Sequence, residues 1–275
     1  MISNSIINTH SINSFSTMKE KGQKIVMVTA YDYAMARTAR EGDVDIILVG
    51  DSLGMVVLGY ENTLQVTMDD MVYHTQAVRR GANANFIIAD MPYMSYHVSL
   101  QESKLNAARL ITSAGANAVK LEGGNPARLD TIKAILDCEI PVCAHIGLTP
   151  QSINKFGGYK VQGKTQAEYD RLLEEAVKLE QAGAFMLVLE GIPEALGKAI
   201  TAALSIPTIG IGAGRFCDGQ VLVFHDMLGW SEILPKFVKS YAETGKVMTA
   251  ALSAYAKDVR EGTFPAREQV YYPID

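Results

Sequence analysis

Ala114-Gly115-Ala116-Asn117-Ala118-Val119-Lys120-Leu121-Glu122 and Ala182-Gly183-Ala184-Phe185-Met186-Leu187-Val188-Leu189-Glu190 run on one pattern. Each reads as a helix end, a glycine turn and a buried strand, with a glutamate at the strand's end seven residues past the glycine. Barrel units repeat in this way. Working outward, short apolar, β-branched runs recur at 25–30, 45–49, 85–89, 116–121, 141–144, 184–189, 207–211 and 220–224. They are nearly continuous in apolar residues rather than alternating, as expected of parallel strands covered on both faces. Stretches with helical spacing separate them, among them 68–80, 99–113, 168–181 and 194–204. Eight strands so spaced predict the α/β class and a single closed (β/α)8 (TIM) barrel rather than an open, doubly wound sheet. The spacer after the seventh strand, 212–219, is too short for a full helix.

The bulk numbers agree. The chain has 275 residues, 48% of them apolar, and no composition break divides it. That predicts one domain over 1–275, with an N-terminal extension at 1–22 and one or two C-terminal helices at about 231–262, packed down by Trp230 and Tyr241. The net charge is −5 and the basic residues are scattered, so no footprint for nucleic acid or an anionic membrane is visible. Cys138, Cys143 and Cys217 form no CxxC pair, which fits a reduced, cytoplasmic setting. Residues 1–20 lack the basic start and apolar run of a targeting signal, and no stretch approaches the ~20 apolar residues of a membrane helix. A soluble protein is expected.

In such a barrel the chemistry sits at the C-terminal ends of the strands. Those positions hold Asp51-Ser52 after the second run, Asp90 after the third, Lys120 and Glu122 in the fourth, His145 after the fifth and Glu190 after the sixth. Lys120 and Glu122, two apart, face the same side of their strand. Taken singly each has a bland reading. An acid closing a strand is often a helix cap, Lys120 and Glu122 could neutralise one another, and His145 could be a core histidine bonded to backbone. Taken together they end successive strands, where several buried carboxylates would repel unless a positive charge sat among them. A divalent cation is the economical answer, and hard oxygen donors without a Cys or His cluster select Mg²⁺. Asp51 and Asp90 would bind it directly, with Glu122 a third ligand in contact or through water. Such an open site suits a 2-oxo acid chelated through its ketone and carboxylate, whose neighbouring carbon the metal acidifies. Glu190 is the carboxylate left over to take the proton.

These segments together resemble one family. Thr29-Ala30-Tyr31-Asp32, Val49-Gly50-Asp51-Ser52-Leu53-Gly54-Met55, Ala89-Asp90-Met91-Pro92-Tyr93 and Val119-Lys120-Leu121-Glu122-Gly123-Gly124 are similar to ketopantoate hydroxymethyltransferases. So are His145-Ile146-Gly147-Leu148-Thr149-Pro150-Gln151-Ser152, Phe156-Gly157-Gly158-Tyr159-Lys160-Val161-Gln162-Gly163 and Asp218-Gly219-Gln220-Val221-Leu222. The resemblance covers roughly 15–265, and Gln65 and Ala144 are its minor departures. It implies a barrel enzyme of pantothenate biosynthesis that transfers a hydroxymethyl group from 5,10-methylenetetrahydrofolate to 3-methyl-2-oxobutanoate, giving 2-dehydropantoate. It implies one Mg²⁺ per subunit handled by Asp51, Asp90 and Glu122. The oxo acid is held by Asp51, Ser52, Asp90 and Lys120, Glu190 accepts a proton, and His145 lies near the substrate. It also implies a homo-oligomer, a decamer, whose other partners are small molecules.

Three competing readings stay open at this point. Lys120 could form a Schiff base, which needs a depressed pKa that Glu122 on the same face opposes. The run Ile209-Gly210-Ile211-Gly212-Ala213-Gly214 could bind phosphate, or its glycines could simply let backbones pack closely. A silent scaffold would leave four mouth carboxylates without a use.

Overall fold

The computed structural model describes residues 10–231 and 234–272. By contacts the chain falls into two compact units, Met1–Phe224 and His225–Asp275. The first is a closed barrel of eight parallel strands in sequence order. They are β1 (Ile25–Thr29), β2 (Ile46–Val49), β3 (Phe86–Asp90), β4 (Ala118–Glu122), β5 (Val142–Gly147), β6 (Met186–Glu190), β7 (Thr208–Ile211) and β8 (Gly219–Leu222). Every expected strand is present, with ends shifted by a residue or more.

Local chemistry sets the intervening helices. Thr67 and Thr165 open Met68–Gly81 and Gln166–Gln181 with reciprocal capping boxes, Ser99 caps Leu100–Thr112, and Asn125 with Pro126 starts Pro126–Leu136. The two repeat glycines behave as read. Gly115 and Gly183 take φ of +81° and +102° just past helix ends, a region that favours a residue without Cβ. No helix separates β7 from β8.

Side chains alternate along each strand, so every second residue points into the barrel. The inward columns start apolar. Phe86 and Ile88 of β3, Ala118 of β4, Cys143 of β5, and Met186 and Val188 of β6 belong to one buried cluster with Met27, Ile46, Leu48, Ile209 and Val221. Two residues further up, the same columns reach Asp90, Lys120 and Glu122, His145, and Glu190. Of the expected extension at 1–22, residues 1–9 lie outside the described residues; below the strands Ile12–Glu20 is a helix, which delivers Phe15, fully buried, to the floor. Its ring meets Phe86 edge-on at 5.2 Å, and Phe86 meets Phe185 at 5.9 Å. Emptying that position would cost about 3–5 kcal/mol.

Three placements shift. Asp90 and Glu190 are the last residues of β3 and β6 rather than following them, and His145 lies well inside β5, paired across to Val188, because the ladder runs on to Gly147 opposite Glu190. In the second unit the long helix Thr244–Glu261 has no buried residue. Trp230 stacks on His225 at 4.7 Å, and Tyr241 is 63% exposed.

Candidate active site

Asp51 lies two residues beyond β2, past Gly50, where a Cβ would come within 2.9 Å of Ser52 Oγ. That tight bend turns the Asp51 amide toward β3, and it donates to Asp90 Oδ2 at 3.1 Å. The Ser52 hydroxyl sits 2.9 Å from the phenol of buried Tyr31. Asp90 and Lys120 are register neighbours across β3 and β4, with Nζ 3.0 Å from Oδ1. The contact is an ion pair rather than an aligned hydrogen bond, since Oδ1 has no hydrogen-bond partner.

The charges are buried and crowded. Burial raises the Asp51 carboxyl well above the usual range, and the charges of Asp90 and Glu122 push it the same way. Asp90 is also raised by burial, against the pull of Lys120. Burial lowers the Lys120 pKa, but Asp90, Glu122 and Asp51 outweigh it and the net shift is upward. A raised lysine is a fixed ammonium, the opposite of what Schiff-base chemistry needs.

Across the mouth, β5 carries His145 between two carboxylates. Its Nδ1 is 3.5 Å from Glu122 Oε1 and 3.4 Å from Lys120 Nζ, and its Nε2 is 3.3 Å from Glu190 Oε2. Burial and Lys120 drive the imidazole pKa down, yet the contacts to Glu122 and Glu190 win and place it at about 9. Four carboxyls therefore share this mouth with one ammonium and one imidazolium. The surplus negative charge and all-oxygen donor set fit Mg²⁺, which commonly takes one or two protein carboxylates. Asp51 and Asp90, bridged by the amide of one and the carboxylate of the other, supply such a pair. Among the described residues no three His, Cys, Asp or Glu side chains come together at ligand spacing. Glu122 is engaged elsewhere, accepting the Gln151 amide at 3.1 Å.

The glycine run offers no anion cradle. A Cβ on Gly214 would lie 2.5–2.8 Å from the Glu194 side chain, whose Oε2 already accepts the Arg215 amide at 3.1 Å. A phosphate there would face a carboxylate. Gly210 and Gly214 make room for the side chains of Cys217, Gln220 and Glu194.

Three residues escaped the sequence reading, Tyr96, Arg128 and Gln151, all buried and all in loops or helix starts. Gln151 Nε2 donates to Asp51 Oδ2 at 2.7 Å, Tyr96 hydroxyl bonds Gln151 Oε1, and Arg128 caps the Glu122 carbonyl at 2.7 Å. Beside them opens a cleft of about 790 Å³ lined by Tyr93, Tyr96, His97, Phe156 and Arg171 among others. It meets the acidic centre at Glu122 and Gln151, while Asp51, Asp90 and Lys120 lie outside its lining. His97 within it is neutral, its pKa lowered to about 4 by burial and the Arg128 charge.

Residues 9–267 match the family model described as ketopantoate hydroxymethyltransferase. The chain is 54% identical over 263 residues, 95% of either chain, to the 3-methyl-2-oxobutanoate hydroxymethyltransferase of Clostridium beijerinckii. It is 57% identical over 257 residues, 93% of either chain, to the protein of the same name from Clostridium acetobutylicum. Among solved structures it superposes on a phosphonopyruvate hydrolase complexed with oxalate and Mg²⁺, with a TM-score of 0.62, 11% identity, and coverage of 95% of this chain and 91% of the other. At that identity the likeness speaks for the fold.

Proposed function

The chain belongs to the ketopantoate hydroxymethyltransferase family, and from that premise we propose how its barrel mouth makes the new carbon–carbon bond. It is an enzyme that transfers a hydroxymethyl group to 3-methyl-2-oxobutanoate and yields 2-dehydropantoate. The one-carbon donor is 5,10-methylenetetrahydrofolate. Its place is the cleft beside Tyr93, Tyr96 and His97, whose rings suit a flat heterocycle and which opens onto Glu122.

The observation that carries the site assignment is the crowding of buried acids, Asp51 and Asp90 above all, around one lysine. Asp51 and Asp90 would hold Mg²⁺, with Glu122 completing the set through water. When bound, the cation supplies Lewis-acid polarisation of the oxo acid's ketone, which makes the neighbouring C3–H acidic. Lys120, a fixed ammonium 3.0 Å from Asp90, neutralises the substrate carboxylate together with the Ser52 hydroxyl. Glu190 accepts the C3 proton. It is the mouth carboxylate with the most solvent reach, its side chain 16% exposed against 4% for Glu122. His145, 3.3 Å away, holds it in place and balances its charge. The cleft then presents the donor's methylene carbon to C3; as the new C–C bond forms, the carbon's two C–N bonds to the carrier break, tetrahydrofolate leaves, and water supplies the hydroxyl.

One barrel domain over residues 1–275, a cytoplasmic setting and a homodecamer complete the proposal. The exposed apolar side chains of Thr244–Glu261, Val247, Leu252 and Tyr255, support assembly. The test needs no folate. Incubated with 3-methyl-2-oxobutanoate and Mg²⁺ in deuterated water, the enzyme should exchange the proton at C3, and EDTA should stop it. Persistent exchange under EDTA removes the metal, and no exchange in either case removes the enolisation step.

A further inference from the structure

The loop after β5 sends one neutral side chain into the acidic centre. Gln151 is 6% exposed and spends its whole hydrogen-bonding capacity there. Nε2 donates to Asp51 Oδ2 at 2.7 Å and to the Met91 carbonyl at 3.0 Å, and the Gln151 backbone amide donates to Glu122 Oε2 at 3.1 Å. Oε1 faces the Tyr96 hydroxyl.

Which end of the amide points where follows from Tyr96. Its hydroxyl oxygen lies 3.3 Å from the Glu122 N–H and accepts it, so its own proton goes to Oε1. With Oε1 fixed as the acceptor, Nε2 must face Asp51 and the Met91 carbonyl, and that carbonyl can only accept. A flipped amide would set an oxygen against a carboxylate. Tyr96 is itself pinned by Arg128, whose Nη1 donates to the Tyr96 carbonyl at 3.0 Å and whose guanidinium lies 4.2 Å over the Tyr96 ring. Arg128, Tyr96 and Gln151 thus form a chain running from the β4–helix junction to two carboxylates, Asp51 just past β2 and Glu122 at the end of β4.

We propose that Gln151 is a positioning residue for the cation site, holding the Asp51 carboxylate with a side-chain amide whose orientation Tyr96 dictates and the Glu122 carboxylate with its backbone amide. The proposal rests on the reading of Asp51 and Glu122 as cation-handling groups. Its logic is that of outer partners around metal ligands, which orient a ligand without touching the ion and whose loss weakens binding by roughly 10–100-fold.

The test uses the full-length protein and Mn²⁺ alone, titrated by the electron paramagnetic resonance signal of free Mn²⁺, with thermal unfolding run on each variant. Gln151→Leu keeps the bulk and loses both Nε2 donors, and its Kd for Mn²⁺ should rise roughly 10–100-fold. Tyr96→Phe keeps the ring and frees the amide to turn, and should raise Kd by a smaller factor with little change in Tm. Should Gln151→Leu fail to fold, Tyr96→Phe decides. Wild-type Kd in a folded Gln151→Leu, or in Tyr96→Phe when that variant stands alone, reduces Gln151 to packing and overturns the proposal. A wild-type protein that binds no Mn²⁺ removes the underlying reading instead, a result visible before any variant is made.

Discussion

Glu122 and Glu190 end two strands built on one sequence pattern, and the barrel treats them oppositely. Each follows a left-handed glycine by seven residues and each tops an inward column of side chains. Glu122 is locked. Its carboxylate accepts a backbone amide, faces His145, and lies over a carbonyl held by Arg128. Glu190 has His145 on one side and is partly open on the other. A carboxylate bound on every side is held in place, whereas one with room above it can meet a substrate. The lesson is that equivalent strand positions diverge through the loops that follow them. After β4 and β5 those loops bring in Arg128 and Gln151.

The sharpest way to break this contrast is to remove the charge that both glutamates serve. Asp90→Ala should lower turnover by roughly 10³-fold, the scale of several kcal/mol of lost Lewis-acid stabilisation. Its Tm should hold, because a raised buried acid leaves with its own desolvation cost. Near-normal rates in that variant would take Asp90 out of the site. Next come the glutamates themselves. Glu190→Gln should leave Mg²⁺ and oxo-acid binding in place while C3 exchange falls roughly 10²-fold, with kcat and kcat/KM dropping together. Glu122→Gln should instead weaken Mg²⁺ binding first. If the two variants exchange phenotypes, the roles are reversed, and wild-type exchange in Glu190→Gln points to His145 as the base.

Lys120 gives a smaller, directional effect. Lys120→Ala should raise KM for the oxo acid about 10–100-fold, the loss of a charge-assisted bond, and Lys120→Arg should recover part of it. Borohydride inactivation with the oxo acid present would revive the Schiff base.

The strands were legible because a parallel barrel buries both faces, so each strand is a near-continuous apolar run in the chain. The inward columns were legible too, since period two carries Ile88 to Asp90 and Val188 to Glu190. His145 was misplaced because a histidine after Cys143-Ala144 looks like the end of an apolar run, while the ladder to β6 continues beneath it. Gln151, Tyr96 and Arg128 had no signal of their own. They sit outside the strands, carry no periodicity and act through hydrogen bonds that exist only once β3, β4 and β5 stand side by side. Phe15 was hidden likewise, one aromatic in a polar stretch whose value depends on Phe86 and Phe185 waiting above it.

The smallest expected effect lies at the opposite end of the barrel from both glutamates. Glu180 Oε1 accepts the Ser205 amide and hydroxyl and the Ile206 amide. Burial raises its pKa, but those donors win and the net shift is downward. A depressed carboxyl stabilises the fold fully above its unfolded pKa and loses that contribution as pH falls through the folded value. Glu180→Gln should therefore lower Tm by about 2–4 °C at neutral pH, the scale of one net hydrogen bond, and by less in acid. Activity should be untouched, and a Tm deficit that grows as pH falls would overturn the sign.

The phenylalanine floor has a kinetic corollary. With the apolar cluster, Phe15, Phe86 and Phe185 filling the barrel below Asp90 and Lys120, both reactants reach the site from the mouth, and whichever sits deeper must enter first and leave last. The oxo acid belongs at the bottom, beside Asp51 and Asp90, and the carrier above it, in the cleft near the rim. Binding is then a queue rather than a choice. 2-Dehydropantoate should compete with the oxo acid for the empty enzyme, while the spent carrier should inhibit in a mixed pattern against its loaded form. Product-inhibition patterns of a random order would mean that a second way in exists.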